Sequence, residues 1–228
     1  VVLVGALLFL FLLMIAVFAD LIAPADPLYM NVRSRLADPS MEAWLGTDHL
    51  GRDVASRLIH GARISLIAGF GAVVLSTFVG VLVGLFAGYY RALDTVLMRV
   101  MDGLMSFPVI LLAVALMAAL GPTLFNVIFA LSAVYAPRTA RIVRSAVLGV
   151  KQLPYVEAAE ALGSRNGRIM FMHVLPNCMS PIIVQATFIF AYAVQAEAAL
   201  SFLGVGVPPS VPSWGSMLSE ARLYMIQA

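Results

Sequence analysis

Few side chains in this chain are equipped for chemistry, and they fall in three places. Glu197 is a lone carboxylate beside the uncharged stretch that ends at Ala196. A carboxylate inside a bilayer is costly and marks a function by default. Glu197 is therefore a possible gate or path residue; the competing assignment is a hydrogen-bonded helix end near the interface. Asp48, His49, Asp53 and His60 bring acids and imidazoles together, but without the tight ligand spacing of a metal site. Cap, turn and salt-bridge roles fit them better. The third place is a polar island, Glu157-Ala158-Ala159-Glu160-Ala161-Leu162-Gly163, with a basic return through Arg165 and Arg168 to His173 and Pro176. Nothing matches G-x-x-x-x-G-K-[ST], so ATP binding by that loop is not expected. There is no HExxH, and no nucleophile–base pair lies in the apolar runs.

The elements that carry these groups are apolar helices. The 228 residues are 62% hydrophobic and 11% charged, against roughly 25% charged in a soluble domain. Ile64–Tyr90 and Gly103–Pro137 hold no charge, and Ile169–Ala196 holds none apart from His173. A helix crosses a bilayer with about 20 apolar residues, and the alternating segments of a membrane barrel are missing. The expected fold is an all-α polytopic membrane protein. Spans are expected at Val1–Ala19, Ile64–Gly88, Gly103–Leu120, Leu124–Val143 and Asn177–Leu203, with Gly121-Pro122 parting the third from the fourth. Ser213–Ala228 reads as the amphipathic approach to a sixth. Five of six spans are thus expected here, in a chain taken to be truncated at both ends. Val1–Ala19 lacks the basic start of a signal peptide and is read as a span.

One transmembrane domain covers 1–228, with a loop at 20–63 on one side and a loop at 151–176 on the other. Arg138, Arg141, Arg144, Lys151, Arg165 and Arg168 crowd the connection between the fourth and fifth spans, and Arg91 and Arg99 lie between the second and third. Basic short loops face the cytoplasm. Asn166 and Arg91 are therefore expected inside, and Asp48 and Pro209 outside. The long, arginine-bearing 20–63 loop is an exception to that rule. Asp53–His60 reads as a short helix leading into the second span. Net charge is +2, which points to no nucleic acid, and the single Cys178 cannot form an internal disulfide.

The 151–176 loop has its own architecture. Pro154 is expected to end or kink the arriving helix. Val156, Ala159, Glu160 and Gly163 then share one face of a short helix. Its alanines keep it thin enough for a narrow cleft, and Gly163 can take the left-handed conformation that closes it. Pro176 is expected at the start of the fifth span, where a missing N–H costs little. Arg138, Arg141 and Arg144 suit lipid phosphates or an acidic partner. Gly80, Gly84 and Gly88 form a small-residue stripe for close helix packing.

Glu157-Ala158-Ala159, then Gly163, then His173-Val174-Leu175-Pro176, resembles the EAA loop of ABC importer membrane subunits. Leu45–Val54 with Ser56-Arg57 and Gly61–Arg63 resembles the outer loop of the dipeptide/oligopeptide/nickel permeases. So do Asp94–Pro108 and the stretches Glu197–Gly204 and Pro208–Gly215. The likeness is closest to the C-type subunit. His173 stands where the broader pattern carries isoleucine. The resemblance implies a channel-forming permease of the bacterial inner membrane, importing dipeptides or oligopeptides by alternating access, with nickel or another metal complex as the alternative cargo. An ion-coupled secondary transporter fits less well, because Glu197 has no ionisable mate at mid-membrane. The implied partners are a homologous second permease, two ATP-binding subunits, an extracytoplasmic solute-binding protein and the bilayer. Residues 157–163 would dock on an ATPase subunit. No cofactor is expected in this chain; ATP and magnesium belong to the partners.

Overall fold

The structure is a computed structural model that describes residues 2–222 and Tyr224. The chain order is α1 (Val2–Val17), α2 (Ala19–Ile22), a 3₁₀ turn (Val32–Ser34), α3 (Val54–Tyr89), α4 (Arg91–Met105), α5 (Val109–Leu120), α6 (Leu124–Val150), α7 (Pro154–Ala161), α8 (Asn166–Arg168), a π turn (Ile169–Val174), a 3₁₀ turn (Leu175–Cys178), α9 (Met179–Phe202) and α10 (Trp214–Arg222). Among the described residues, β pairing is confined to one isolated bridge, Thr47 to Asp53. Among the described residues, two continuous helical stretches are long and apolar enough to cross a membrane, Val54–Tyr89 and Asn166–Phe202. A third counts if α4 and α5 are taken as one span broken by a 92° bend.

Several departures from the expected boundaries have a local cause. The short helix expected at 53–60 and the span expected from Ile64 are one helix of 36 residues. Asp53 starts it as the cap, its carboxylate accepting from the Ser56 amide at 2.7 Å. The third span was expected from Gly103, but Gly103 belongs to α4. Pro108 keeps Phe107 out of helical geometry, and Ser106 Oγ closes α4 by donating to the Gly103 carbonyl at 2.6 Å. Pro154 does not kink the arriving helix. α6 ends at Val150, and Pro154 opens α7, where it has no helical hydrogen bond to lose. Helix also returns earlier than expected, at Asn166 rather than Asn177. Pro176 sits inside that continuous helix, and the ladder loosens to π and tightens to 3₁₀ around it.

The chain folds as two compact units. One holds Val1–Phe70, Met117–Val127 and Val194–Ala228. There Trp214 donates from Nε1 to the Leu58 carbonyl at 3.2 Å, over the bare backbone of Gly61. The other holds Gly71–Leu116 and Ile128–Ala193. Its core joins Leu85, Tyr89, Val143, Val147, Val156, Ile169, Met170, Val174, Cys178 and Ile182. α3 lies against α6 along the glycine stripe: a Cβ on Gly80 would lie 2.5 Å from Thr139 Cβ, and one on Gly88 2.8 Å from Val147 Cβ. The stripe therefore serves packing within the chain.

Candidate functional site

α7 is a short helix with one face held and the other free. Val156 is buried, and Ala159 packs beside it on the core of the second unit. Glu157, Ala158, Glu160, Ala161 and Leu162 are exposed, Leu162 at 87%. The face expected from Val156, Ala159, Glu160 and Gly163 is thus split, with the first two residues turned inward and the last two outward. The helix stops with both reciprocal bonds of a glycine C-cap. The Gly163 amide donates to the Glu160 carbonyl at 2.9 Å and the Ser164 amide to Ala159 at 3.1 Å. Gly163 has φ +76°, as its proposed stop role requires. Glu157 is in the first turn but does not begin the helix.

The return strip is open to solvent at Arg165 and Arg168. At His173 it is the backbone carbonyl that is engaged. It accepts from Asn177 Nδ2 at 2.7 Å and from the Tyr155 hydroxyl at 3.4 Å. Asn177 thereby serves a carbonyl that the disturbed ladder around Pro176 leaves available.

Two of the arginines expected to meet lipid or a partner are paired inside the chain. Arg144 Nη2 donates to Asp94 Oδ2 at 2.6 Å, with a second bond from its Nε to Asp94 Oδ1, and Arg141 Nη2 donates to Asp102 Oδ1 at 2.6 Å. Both acids lie on α4. Lys151, which the sequence offers only as one more basic charge, donates from Nζ to the Tyr89 carbonyl at 2.9 Å. No local spacing signals that partnership.

In the first unit, Asp48 organises the loop before α3. Its Oδ1 accepts from the Leu50 amide at 2.8 Å and the Arg52 amide at 3.0 Å. Its Oδ2 accepts from Arg52 Nε at 2.7 Å and from Arg57 Nη1. Glu220, which no sequence pattern singles out, completes the knot by accepting from Arg52 Nη2 at 2.7 Å and Arg57 Nη1 at 2.8 Å. Burial pushes the Asp48 carboxyl up, but the Arg52 and Leu50 amides and the two guanidiniums outweigh it and hold its pKa below the ordinary 3.8. Asp48, His49 and Glu220 offer ligand atoms within 4.8 Å of one another. Both carboxylates are already occupied by buried guanidiniums, so a cation there would face two positive charges. His49 instead stacks on Tyr224 at 4.6 Å, and His60 lies between the Ser56 carbonyl and Asp20.

Glu197 is fully buried. Ser65 Oγ donates to its Oε2 at 2.7 Å and Ser201 Oγ to its Oε1 at 2.8 Å. Both carboxylate oxygens are therefore satisfied by hydroxyls, and any gating role has to work through those two bonds.

A sequence profile for the family described as "Binding-protein-dependent transport system inner membrane component" matches residues 80–228. A Brucella suis biovar 1 chain provisionally named a peptide transport system permease is 47% identical over 225 residues, 99% of this chain and 76% of that one. The dipeptide transport system permease of Alkalihalophilus pseudofirmus is 44% identical over 226 residues, covering 99% and 74%. The glutathione transport system permease of Pectobacterium atrosepticum is 42% identical over 221 residues, covering 96% and 73%.

Proposed function

Because this chain belongs to the family of binding-protein-dependent transport system inner membrane components, and so is a permease subunit of an ABC importer, we propose that its cargo is peptides and that α7 is where ATP hydrolysis on partner subunits is coupled to transport. The peptide reading is supported by relatives named for peptide, dipeptide and glutathione transport, which favours it over nickel. In this reading the subunit crosses the bacterial inner membrane several times. It pairs with a homologous permease, and a solute-binding protein delivers peptide to the outer face. Two ATP-binding subunits hold ATP and magnesium, and the chain itself does no covalent chemistry.

The observation that carries the coupling role is the divided surface of α7. Its inner face, Val156 and Ala159, belongs to the packed core. Its outer face leaves Leu162 at 87% exposure between the small side chains of Ala158 and Ala161 and the acids Glu157 and Glu160. An apolar tip on a thin helix, rimmed by charge, is suited to a cleft on a soluble protein. Arg165 and Arg168 supply the opposite charge at its exit.

Glu157 provides the test. A first-turn acid favours a helix N-terminus by about 0.3–1 kcal/mol, and in this reading it also meets the ATPase. Glu157→Gln keeps the shape and loses the charge; Glu157→Lys reverses it. Transport is expected to fall in the order wild type, Gln, Lys, with unchanged membrane levels of this chain and progressive loss of co-purifying ATPase subunits. A Lys variant that transports and co-purifies like wild type would remove α7 from the coupling role.

A further inference from the structure

Both ends of the α7 loop are tied to a single residue, Tyr89, the last of α3. On the approach side, Lys151 donates from Nζ to the Tyr89 carbonyl at 2.9 Å, and the same ammonium lies 4.9 Å from the centroid of the Tyr89 ring. On the exit side, the Tyr89 hydroxyl donates to Asn166 Oδ1 at 3.4 Å. The ring between these bonds is 6% exposed and packs in the same cluster as Val156 of α7.

The sequence brings these groups together in a definite way. Gly88 has no side chain, so the end of α3 comes down on Val147 of α6; a Cβ there would lie 2.8 Å from Val147 Cβ. The Lys151 amide donates to the Val147 carbonyl at 2.9 Å, so Lys151 stands one turn beyond Val147 on the same side. That turn carries its ammonium over Tyr89. The Tyr89 carbonyl is among the last of α3, at the negative end of the helix dipole, where a cation is favoured. The ring face adds a cation–π attraction that strengthens as water is excluded. Lys151 and Asn166 flank α7 in the chain, and Tyr89 is the point to which both are bound.

We infer that Tyr89, clamped by Lys151 and Asn166, is the joint through which displacement of α7 reaches α3. A loop held only by its backbone can swing on its two hinges while the spans stay still. Pinning its start to the backbone carbonyl and its exit to the hydroxyl of one buried residue at the foot of α3 removes that freedom. A close-packed core transmits displacement because it cannot deform continuously. Tyr89, Lys151 and Asn166 are positioning residues in this scheme and meet neither peptide nor nucleotide. The inference rests on the coupling role proposed for α7.

The experiment uses the full-length subunit reassembled with its partner permease, ATPase subunits and binding protein in proteoliposomes. Uptake of tritiated alanyl-alanine is measured per ATP hydrolysed. Lys151→Met keeps the apolar stem and removes the ammonium, Lys151→Arg restores the charge, and Tyr89→Phe removes only the hydroxyl. With ATPase subunits retained at wild-type stoichiometry, Lys151→Met is expected to lower uptake per ATP at least about fivefold. Lys151→Arg should recover most of that loss, and Tyr89→Phe should fall between. Unchanged uptake per ATP in Lys151→Met overturns the joint and leaves α7 as the docking element. So does a parallel fall in uptake and hydrolysis that Lys151→Arg does not repair, which marks plain packing. Loss of ATPase subunits from Lys151→Met also overturns it, since Lys151 would then belong to docking. A wild-type chain that never retains ATPase subunits would instead overturn the proposed role of α7, and the joint with it.

Discussion

Gly163 sits at φ +76°, with no atom within 4 Å of where a Cβ would be. Any penalty for a side chain there is therefore one of backbone conformation, not of space. The left-handed region costs an ordinary residue about 1–2 kcal/mol, is milder for asparagine, and is worse when Cβ is branched. Gly163→Asn is expected to keep most substrate-stimulated ATP hydrolysis of the assembled complex. Gly163→Val should lose most of it, while this chain still reaches the membrane at normal levels. Equal hydrolysis in the Val and Asn variants would show that the stop geometry of α7 is not needed for coupling. Gly163 was legible in the sequence because its signal is local: a glycine just past an alanine-rich helix. The Asp53 cap had the same advantage. Glu220 and Ser65 did not. Their partners, Arg57 and Glu197, are far away in sequence, with no periodicity to announce them. Lys151 was hidden for a different reason, since among arginines a lysine looks like one more topology charge.

Among the elements, hydropathy located the apolar cores and misplaced several of their ends. Charge is a poor boundary marker here, because α3 carries Arg57, His60 and Arg63 within its first turns. What set the real ends was capping and proline chemistry at Asp53, Ser106, Pro108 and Pro154, which averaged hydropathy does not see. The α3–α6 contact separates two effects of the same substitution. Replacing a helical glycine by alanine gains about 1 kcal/mol in propensity. At Gly149 nothing lies within 4 Å of the new Cβ, so Gly149→Ala is expected to leave thermal stability level or higher. At Gly84 the new Cβ would lie 2.5 Å from the Ala140 carbonyl oxygen and 2.7 Å from Val143 Cβ. That obstacle is partly backbone, so the helices must part, at a cost of about 1–3 kcal/mol. Gly84→Ala should therefore lower the melting temperature of the detergent-solubilised protein. A Gly84 variant as stable as the Gly149 variant would place the stripe outside the helix contact.

For the whole molecule, the property that the sequence argues most directly is orientation. Insertion is biased by Lys and Arg flanking short loops, and acids contribute little. The pairing of Arg141 and Arg144 with Asp102 and Asp94 therefore leaves the bias intact, and the prediction is that α7 with its basic return faces the cytoplasm. On the same prediction the 20–63 loop lies outside, an exception to the rule, since it carries Arg33, Arg35, Arg52, Arg57 and Arg63. Single cysteines at Asn166, Arg91, Asp48 and Pro209 test this with an impermeant thiol reagent applied to intact cells. Cys178 is fully buried within the core cluster of the second unit, and a buried, apolar thiol is poorly reactive. Native Cys178 can stay in place, which avoids the cavity that Cys178→Ala would leave in that core. Labelling is expected at Asp48→Cys and Pro209→Cys in intact cells, and at Asn166→Cys and Arg91→Cys only after permeabilisation. If Asn166→Cys reacts from outside while Asp48→Cys does not, the chain is inverted. α7 would then face away from any ATP-bearing subunit, and the coupling mechanism would have no place to operate.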